Sequence, residues 1–517
     1  MYLDNDNSVI KMKSTITLFI VTISCAFIPS VMKAQNNFDT FKKQMDSSFD
    51  NYRKSKENEF ENFRRKINKE YAEMLEKAWK EFNAIAKIRV PEDKIKPVPP
   101  VTYPKRDIDN KPKTDPKPIP FDNVVPVPNP TPQPQPVTPI EDTPKPVNPI
   151  ISKITFSFFG TQGEVRFDDS MRKILTDVDE RNVSRAWKEM STDNYTQLIY
   201  DCLQIRKQKN LCDWAYLEML HTLSEKIYGK GANSATLLMA YIYCQSGYKM
   251  RLGRDNNRKL YMLYASDHLI YDINYYTLNG VRFYPYGAQT NQIFISDISF
   301  PNESTMSLLV SQEQKLSVKE STVKVRQSQR YPEVRTSMAT NLNLINFYNS
   351  YPTSMIGENL VSRWALYANT PMSDGVKQQI YPSLKKAING CSQLTAVNKI
   401  LNYVQTGFTY EYDDKVWGHD RAFFAEESLY YPYCDCEDRS ILFTRLVRDL
   451  LGLKCILIYY PGHLASAVEF TKDNVVGDYI SLNNRKFIIA DPTYIGAPVG
   501  ETMPKMDNKT AKVILLE

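Results

Sequence analysis

Cys436, His463 and Asp491 follow one another in an order and at intervals that suit a thiol nucleophile, the imidazole that takes its proton, and a carboxylate that orients the imidazole. Cys436 lies in Tyr433-Cys434-Asp435-Cys436-Glu437-Asp438-Arg439, His463 follows Gly462, and Asp491 opens Asp491-Pro492-Thr493. Cys434, Cys436, His419 and His463 are also metal-ligand types. A Cys-x-Cys with acidic neighbours and no second cysteine pair is poor zinc spacing, however. His268 has no cysteine partner in its own stretch and reads as structural; His221 and His419 read as ordinary surface or core residues.

The elements around these residues are set to bring them together. Arg439 to Leu451 carries apolar residues on one broad face and stops at Gly452, which predicts a buried helix starting near Cys436. A cysteine there gains from unpaired backbone amides and the positive end of the helix dipole, both of which favour thiolate. Glu437 and Asp438 oppose a second negative charge, and a protonated His463 would offset them. Lys454 to Tyr460 and the run from His463 to Phe470 read as strands, and Lys486 to Ala490 as another that ends at Asp491. Antiparallel neighbours place the start of one strand beside the end of the next, as a contact between His463 and Asp491 requires. Residues 394 to 405 read as an amphipathic helix leading into this unit.

Asp435-Cys436-Glu437-Asp438-Arg439-Ser440, Gly462-His463 and Asp491-Pro492-Thr493-Tyr494 together resemble the motifs of the transglutaminase-like superfamily, in its bacterial form. Gly418-His419-Asp420-Arg421 and Glu426-Glu427-Ser428-Leu429 are similar to the segment before the nucleophile in many members. The resemblance covers residues 380–517. It implies an α+β fold with a papain-like core of helix plus antiparallel sheet, and acyl transfer through a thioester on peptide or protein amides. In that reading Cys436 is the nucleophile, His463 base then acid, and Asp491 the orienter, with neither cofactor nor metal involved. Hydrolysis is expected over amine crosslinking. Some members of the superfamily have lost activity, so the rival reading is a non-catalytic binding or scaffold protein of the cell envelope. Cys434 departs from the pattern and is expected to be paired or buried.

The rest of the chain is organised around that domain. Lys13 to Gln35 has a basic start, an apolar run and Ala34 before a polar segment, which reads as a signal peptide over residues 1–34 and predicts export to the periplasm or cell surface. Export permits disulfides, and seven cysteines remain beyond Cys25, an odd number that leaves at least one thiol free if the others pair; Cys202 with Cys212 is the local candidate pair. From Phe38 an 11-residue unit recurs at Phe49, Phe60, Tyr71 and Phe82, predicting one continuous helix over 36–90 with an apolar stripe for self-association or a membrane surface, packing against its own chain being the alternative. Residues 91–150 hold most of the prolines and read as an extended linker. Residues 151–290 read as a degenerate copy of the C-terminal unit, with Gly231 aligned to Cys436 and Gly287 to Asp491; chance likeness of two helix-and-strand units is the alternative. Residues 291–379 read as connecting strands and loops. With a net charge of only +6 and basic residues spread among acidic ones, nothing marks the chain for nucleic acid.

Overall fold

The computed structural model describes residues 61–89, 100–103, 121, 123–127, 151–191, 195–356, 359–506 and 510–517, with 47, 51, 52, 55, 56 and 59 before them. The signal-peptide reading lies outside the described residues, as do most residues of the repeats at Phe38 and Phe49. Met1–Asn62 form one unit, whose described residues are helical. Phe63–Glu517 form the other, a mixed α+β body that contains everything considered below. Among the described residues no helix is long and apolar enough to cross a membrane.

Two six-stranded sheets organise this body. Their strands in the first half of the chain are β1 (Lys80–Asn83), β2 (Asn123–Val125), β3 (Met250–Arg254), β4 (Leu260–Ala265), β5 (Tyr276–Leu278), β6 (Val281–Pro285) and β7 (Gln292–Ile295). In the second half they are β8 (Cys455–Tyr460), β9 (His463–Glu469), β10 (Tyr479–Leu482), β11 (Arg485–Ile489) and β12 (Lys512–Leu515). The first sheet runs β1-β7-β3-β4-β6-β5 and the second β2-β12-β8-β9-β11-β10, so the two share one strand order.

They share register as well. The 204 residues that separate Leu263 from Ala467 also carry the facing pairs Leu263–Pro285, Ala265–Phe283 and Tyr276–Phe283 onto Ala467–Ile489, Glu469–Phe487 and Ile480–Phe487. Slipping a strand by one residue would turn its side chains to the other face, so matched register means matched inside and outside. Two places differ: β3 meets β4 as Met250–Tyr264 where β8 meets β9 as Cys455–Val468, one residue off the 204-residue offset, and at the outer edges β1 pairs antiparallel with β7 whereas β2 pairs parallel with β12.

Each sheet follows a helix, α1 (Asn233–Gln245) before β3 and α5 (Cys436–Leu451) before β8. The start of α5 is written locally. Asp435 accepts the Glu437 amide, and Asp438 accepts the Asp435 amide at 3.1 Å, a reciprocal cap. Ile441, Leu442, Phe443, Leu446 and Val447 are buried along it, and Gly452 ends it in the left-handed region at φ 65. Three further helices pack against α5: α2 (Ser362–Asn369), α3 (Gln393–Thr406) and α4 (Ala425–Tyr430).

Several expectations change here. The repeat does not stay helical over 36–90. Its described helix ends by residue 75, and Lys80–Asn83 becomes an edge strand with Phe82 packed on the Leu263, Phe283 and Ile293 cluster. Unpaired ladder groups along β7 reward extended backbone more than the helical period does. Tyr71, Ala72 and Leu75 are buried in the chain's own core, and Asn68 bonds Trp187 and Gln245, so this part of the stripe is already covered. The proline-rich stretch is not only a linker: Val101 and Tyr103 bond Ile495, and β2 closes the edge of the second sheet. Residues 291–379 hold more than strands and loops, with helices at Leu342–Ser350, α2 and Asp374–Ile388. In the first unit it is Asn233, not Gly231, that opens the helix as Cys436 does, because α1 begins two residues beyond Gly231. All seven cysteines beyond Cys25 are free thiols, and Cys202 and Cys212 are each buried separately in the apolar core.

Candidate active site

Helix α5, strand β9 and the end of β11 deliver Cys436, His463 and Asp491 respectively. Tyr460 pairs with His463 across the tight turn between β8 and β9, where Gly462 takes φ 77. That turn sets the imidazole at the mouth end of the strand. Antiparallel pairing of β9 with β11 then carries the chain back to Asp491.

His463 Nε2 lies 2.9 Å from Asp491 Oδ2 with both side chains buried, while Nδ1 is buried and has no partner. The other carboxylate oxygen of Asp491 accepts the amides of Thr493 at 2.8 Å and Tyr494 at 3.3 Å. Its orientation is thereby fixed from both sides. Below the loop, the Gln405 amide donates to the carbonyls of Asp491, Tyr494 and Ala497 and accepts from Gly496 N. The fully buried Arg439 reaches the Phe408 and Gln405 carbonyls beside it.

Cys436 is the first residue of α5 and is buried, with Sγ 3.2 Å from Glu437 Oε2. It opens, with His463, into one cavity of about 290 Å³. The expectation of a thiolate does not hold for this geometry. Burial, then the charges of Glu437 and Asp435, push the thiol well above its ordinary range, and the Leu464 N–H against the sulfur opposes them only in part. Two carboxylates within the first turn outweigh the helix dipole. The same crowding raises Asp413 to about 8, through burial first and the Glu437 charge second.

No protein-family model, curated protein or solved structure matches the chain.

The remaining candidates separate cleanly. Cys434 is buried with Sγ 3.8 Å from the Thr409 carbonyl. His419 is exposed on the cavity rim, its Nδ1 at 3.0 Å from the Trp417 carbonyl. His268 is buried and takes the Leu308 amide, and His221 pairs with Glu225 on its own helix. The cysteine-and-histidine metal set is not assembled: the donors that converge are Asp435, Cys436 and Glu437, and Asp413, Asp420 and Glu437, each group within 4.8 Å. Sequence reasoning missed Arg363 and Trp364, which reach the cavity from α2, and Asp413 and Tyr459. Trp364, Tyr367 and Ala368 do have helical spacing; that the helix covers the cavity is a tertiary fact.

Proposed function

We propose that the protein is an exported cysteine-dependent enzyme of the transglutaminase-like kind, with a papain-like core, that hydrolyses peptide or protein amides. The observation that carries this reading is the His463 ring: one nitrogen is bound to Asp491, the other is buried without a partner, and the residue lines the same cavity as Cys436. His463 takes the thiol proton, and the sulfur attacks the amide carbon. The C–N bond breaks as His463 returns that proton to the leaving amine, giving a thioester. Water, relieved of a proton by the same imidazole, attacks the thioester and releases acid and thiol. Asp491 keeps Nε2 protonated, so that Nδ1 is the base. Export rests on the Lys13 to Gln35 segment.

Cys436→Ala should lower amide turnover by at least about 10⁴-fold with folding retained. An undiminished rate would remove the nucleophile from this account.

A second reading, a non-catalytic envelope scaffold, is favoured by the carboxylates that hold the thiol protonated. Alkylation separates the two. An enzyme in which His463 accepts the proton reacts faster at Cys436 than a simple thiol near neutral pH, and a scaffold reacts more slowly.

A further inference from the structure

The loop over residues 491–497 is held from two sides. From within, Gln405 bonds Asp491, Tyr494, Gly496 and Ala497 but not Ile495. The backbone of Ile495 goes instead to a segment of the proline-rich stretch, far earlier in the chain. Its amide donates to the Val101 carbonyl at 2.8 Å and its carbonyl accepts the Tyr103 amide at 2.7 Å, a parallel pairing centred on Thr102. The Tyr103 ring meets the Tyr494 ring edge-on at 5.4 Å, and Val101 and Tyr103 pack over the buried Tyr494, Ala497 and Met503. Tyr494 links this segment to the chemistry. Its amide and that of Thr493 fix one carboxylate oxygen of Asp491, whose other oxygen holds His463. The sequence suits the segment to such a seat. Pro99, Pro100 and Pro104 bracket Val101-Thr102-Tyr103; residues before proline favour extended backbone, and a ladder finds no amide at Pro100 or Pro104. The three residues between are β-branched or aromatic, types that fit a pleated edge.

We infer that Val101 to Tyr103 are positioning residues for the catalytic set: they seat Tyr494, and through it they align the Asp491 carboxylate with His463. The inference rests on the catalytic reading above. Without them Ile495 loses both backbone partners and Tyr494, Ala497 and Met503 lose their cover, so the amides that fix Asp491 are held by Gln405 alone. A small misplacement of such a group costs rate. Neither the segment nor the loop residues it touches line the cavity, so substrate binding is left unchanged.

The test uses the full chain. Tyr103→Pro removes both the amide that pairs with Ile495 and the ring on Tyr494, whereas Tyr103→Phe keeps both. Tyr103→Pro should lower kcat roughly tenfold, with KM within about twofold and the pH profile displaced, and Tyr103→Phe should match the unaltered protein. If Tyr103→Pro loses its cooperative melt, Tyr103→Ala takes its place, with the same direction of effect. The peptide Pro97-Val98-Pro99-Pro100-Val101-Thr102-Tyr103-Pro104, added to the Tyr103→Pro protein, should fill the vacated seat and restore most of the lost rate, and a scrambled peptide should not. An unchanged kcat overturns the inference and leaves the nucleophile standing. A fall in rate that the peptide does not restore, with an unmoved pH profile, makes the segment a structural brace and overturns it too. Calorimetry gives a reading free of catalysis: the peptide should bind the Tyr103→Pro protein and not the unaltered one, whose seat is filled. Such binding with no amide turnover by any form removes the enzyme, and the positioning role with it, while keeping the seat; no binding to either form removes the seat.

Discussion

The two sheets differ at the places where chemistry would sit. Where Cys436 opens α5 in the second unit, Asn233 opens α1 in the first; carried across by the shared register, Lys259 stands for His463 and Gly287 for Asp491. The contacts nevertheless persist. Asn233 Oδ1 takes the Leu260 amide at 3.0 Å, as Cys436 has the Leu464 amide against its sulfur, and Lys259 Nζ reaches the Gly231 carbonyl at 2.6 Å just ahead of the helix. One scaffold thus brings a helix start and a strand start together twice. It supplies placement, and in the proposed reading the three side chains supply reactivity.

The largest test of that contrast converts one unit into the likeness of the other. Cys436→Asn, His463→Lys and Asp491→Gly, singly or together, should each cut turnover by about 10³-fold or more, and the triple variant should lose little more than Cys436→Asn, since members of such a set act as a unit. Circular dichroism and a cooperative melt should stay native, because the first unit folds with those residues. A triple variant that unfolds would show that the second unit needs its own residues for structure.

Next in size is Gln405, which holds the loop after β11 through three carbonyls. Gln405→Leu leaves those buried acceptors unpaired at about 1–3 kcal/mol for a single such group. Urea titration should show a loss of about 3 kcal/mol, with turnover reduced through Asp491 and its pH profile displaced. A loss of stability with an unmoved pH profile would make Gln405 purely structural.

The last effect is read in the pH dependence of stability and concerns the acidic wall. Because Asp413 titrates at about 8 in the folded protein and an ordinary aspartate near 4, the fold keeps a proton that the unfolded chain releases. Stability from this group therefore declines as pH rises from about 4 towards 8, at no more than about 1.4 kcal/mol per pH unit, and levels off above. Asp413→Asn should flatten that decline in urea midpoints measured across the window. An unchanged slope would place the charge elsewhere.

What the sequence made legible is local. The reciprocal cap of Asp435 and Asp438, the stop at Gly452 and the apolar run of Cys455–Tyr460 each declare themselves within a few residues, and with them the order of helix and strands around Cys436. What it hid depends on distant partners. The 11-residue period runs on through Phe82, yet β7 recruits that stretch as a strand; prolines mark residues 91–150 as extended without saying that β12 waits for part of them. Nor does a first turn reading Cys-Glu-Asp reveal that Asp413 and Asp420 will close on Glu437, or that burial first and the Glu437 and Asp435 charges after it turn the thiol towards its neutral form.

Strand β2 spans only Asn123 to Val125, and its partner β12 lies at Lys512–Leu515, almost at the end of the chain. In a chain made from its N-terminus, β2 is present long before the edge it completes, with unpaired amides and carbonyls that could join another molecule. Pro120, Pro126 and Pro128 stand on either side of it. Proline cannot donate to a ladder, so Pro126 stops pairing directly after Val125 and Pro120 limits it to two residues before Asn123. The composition that looks like a spacer is also a guard, keeping a strand solitary until β12 arrives.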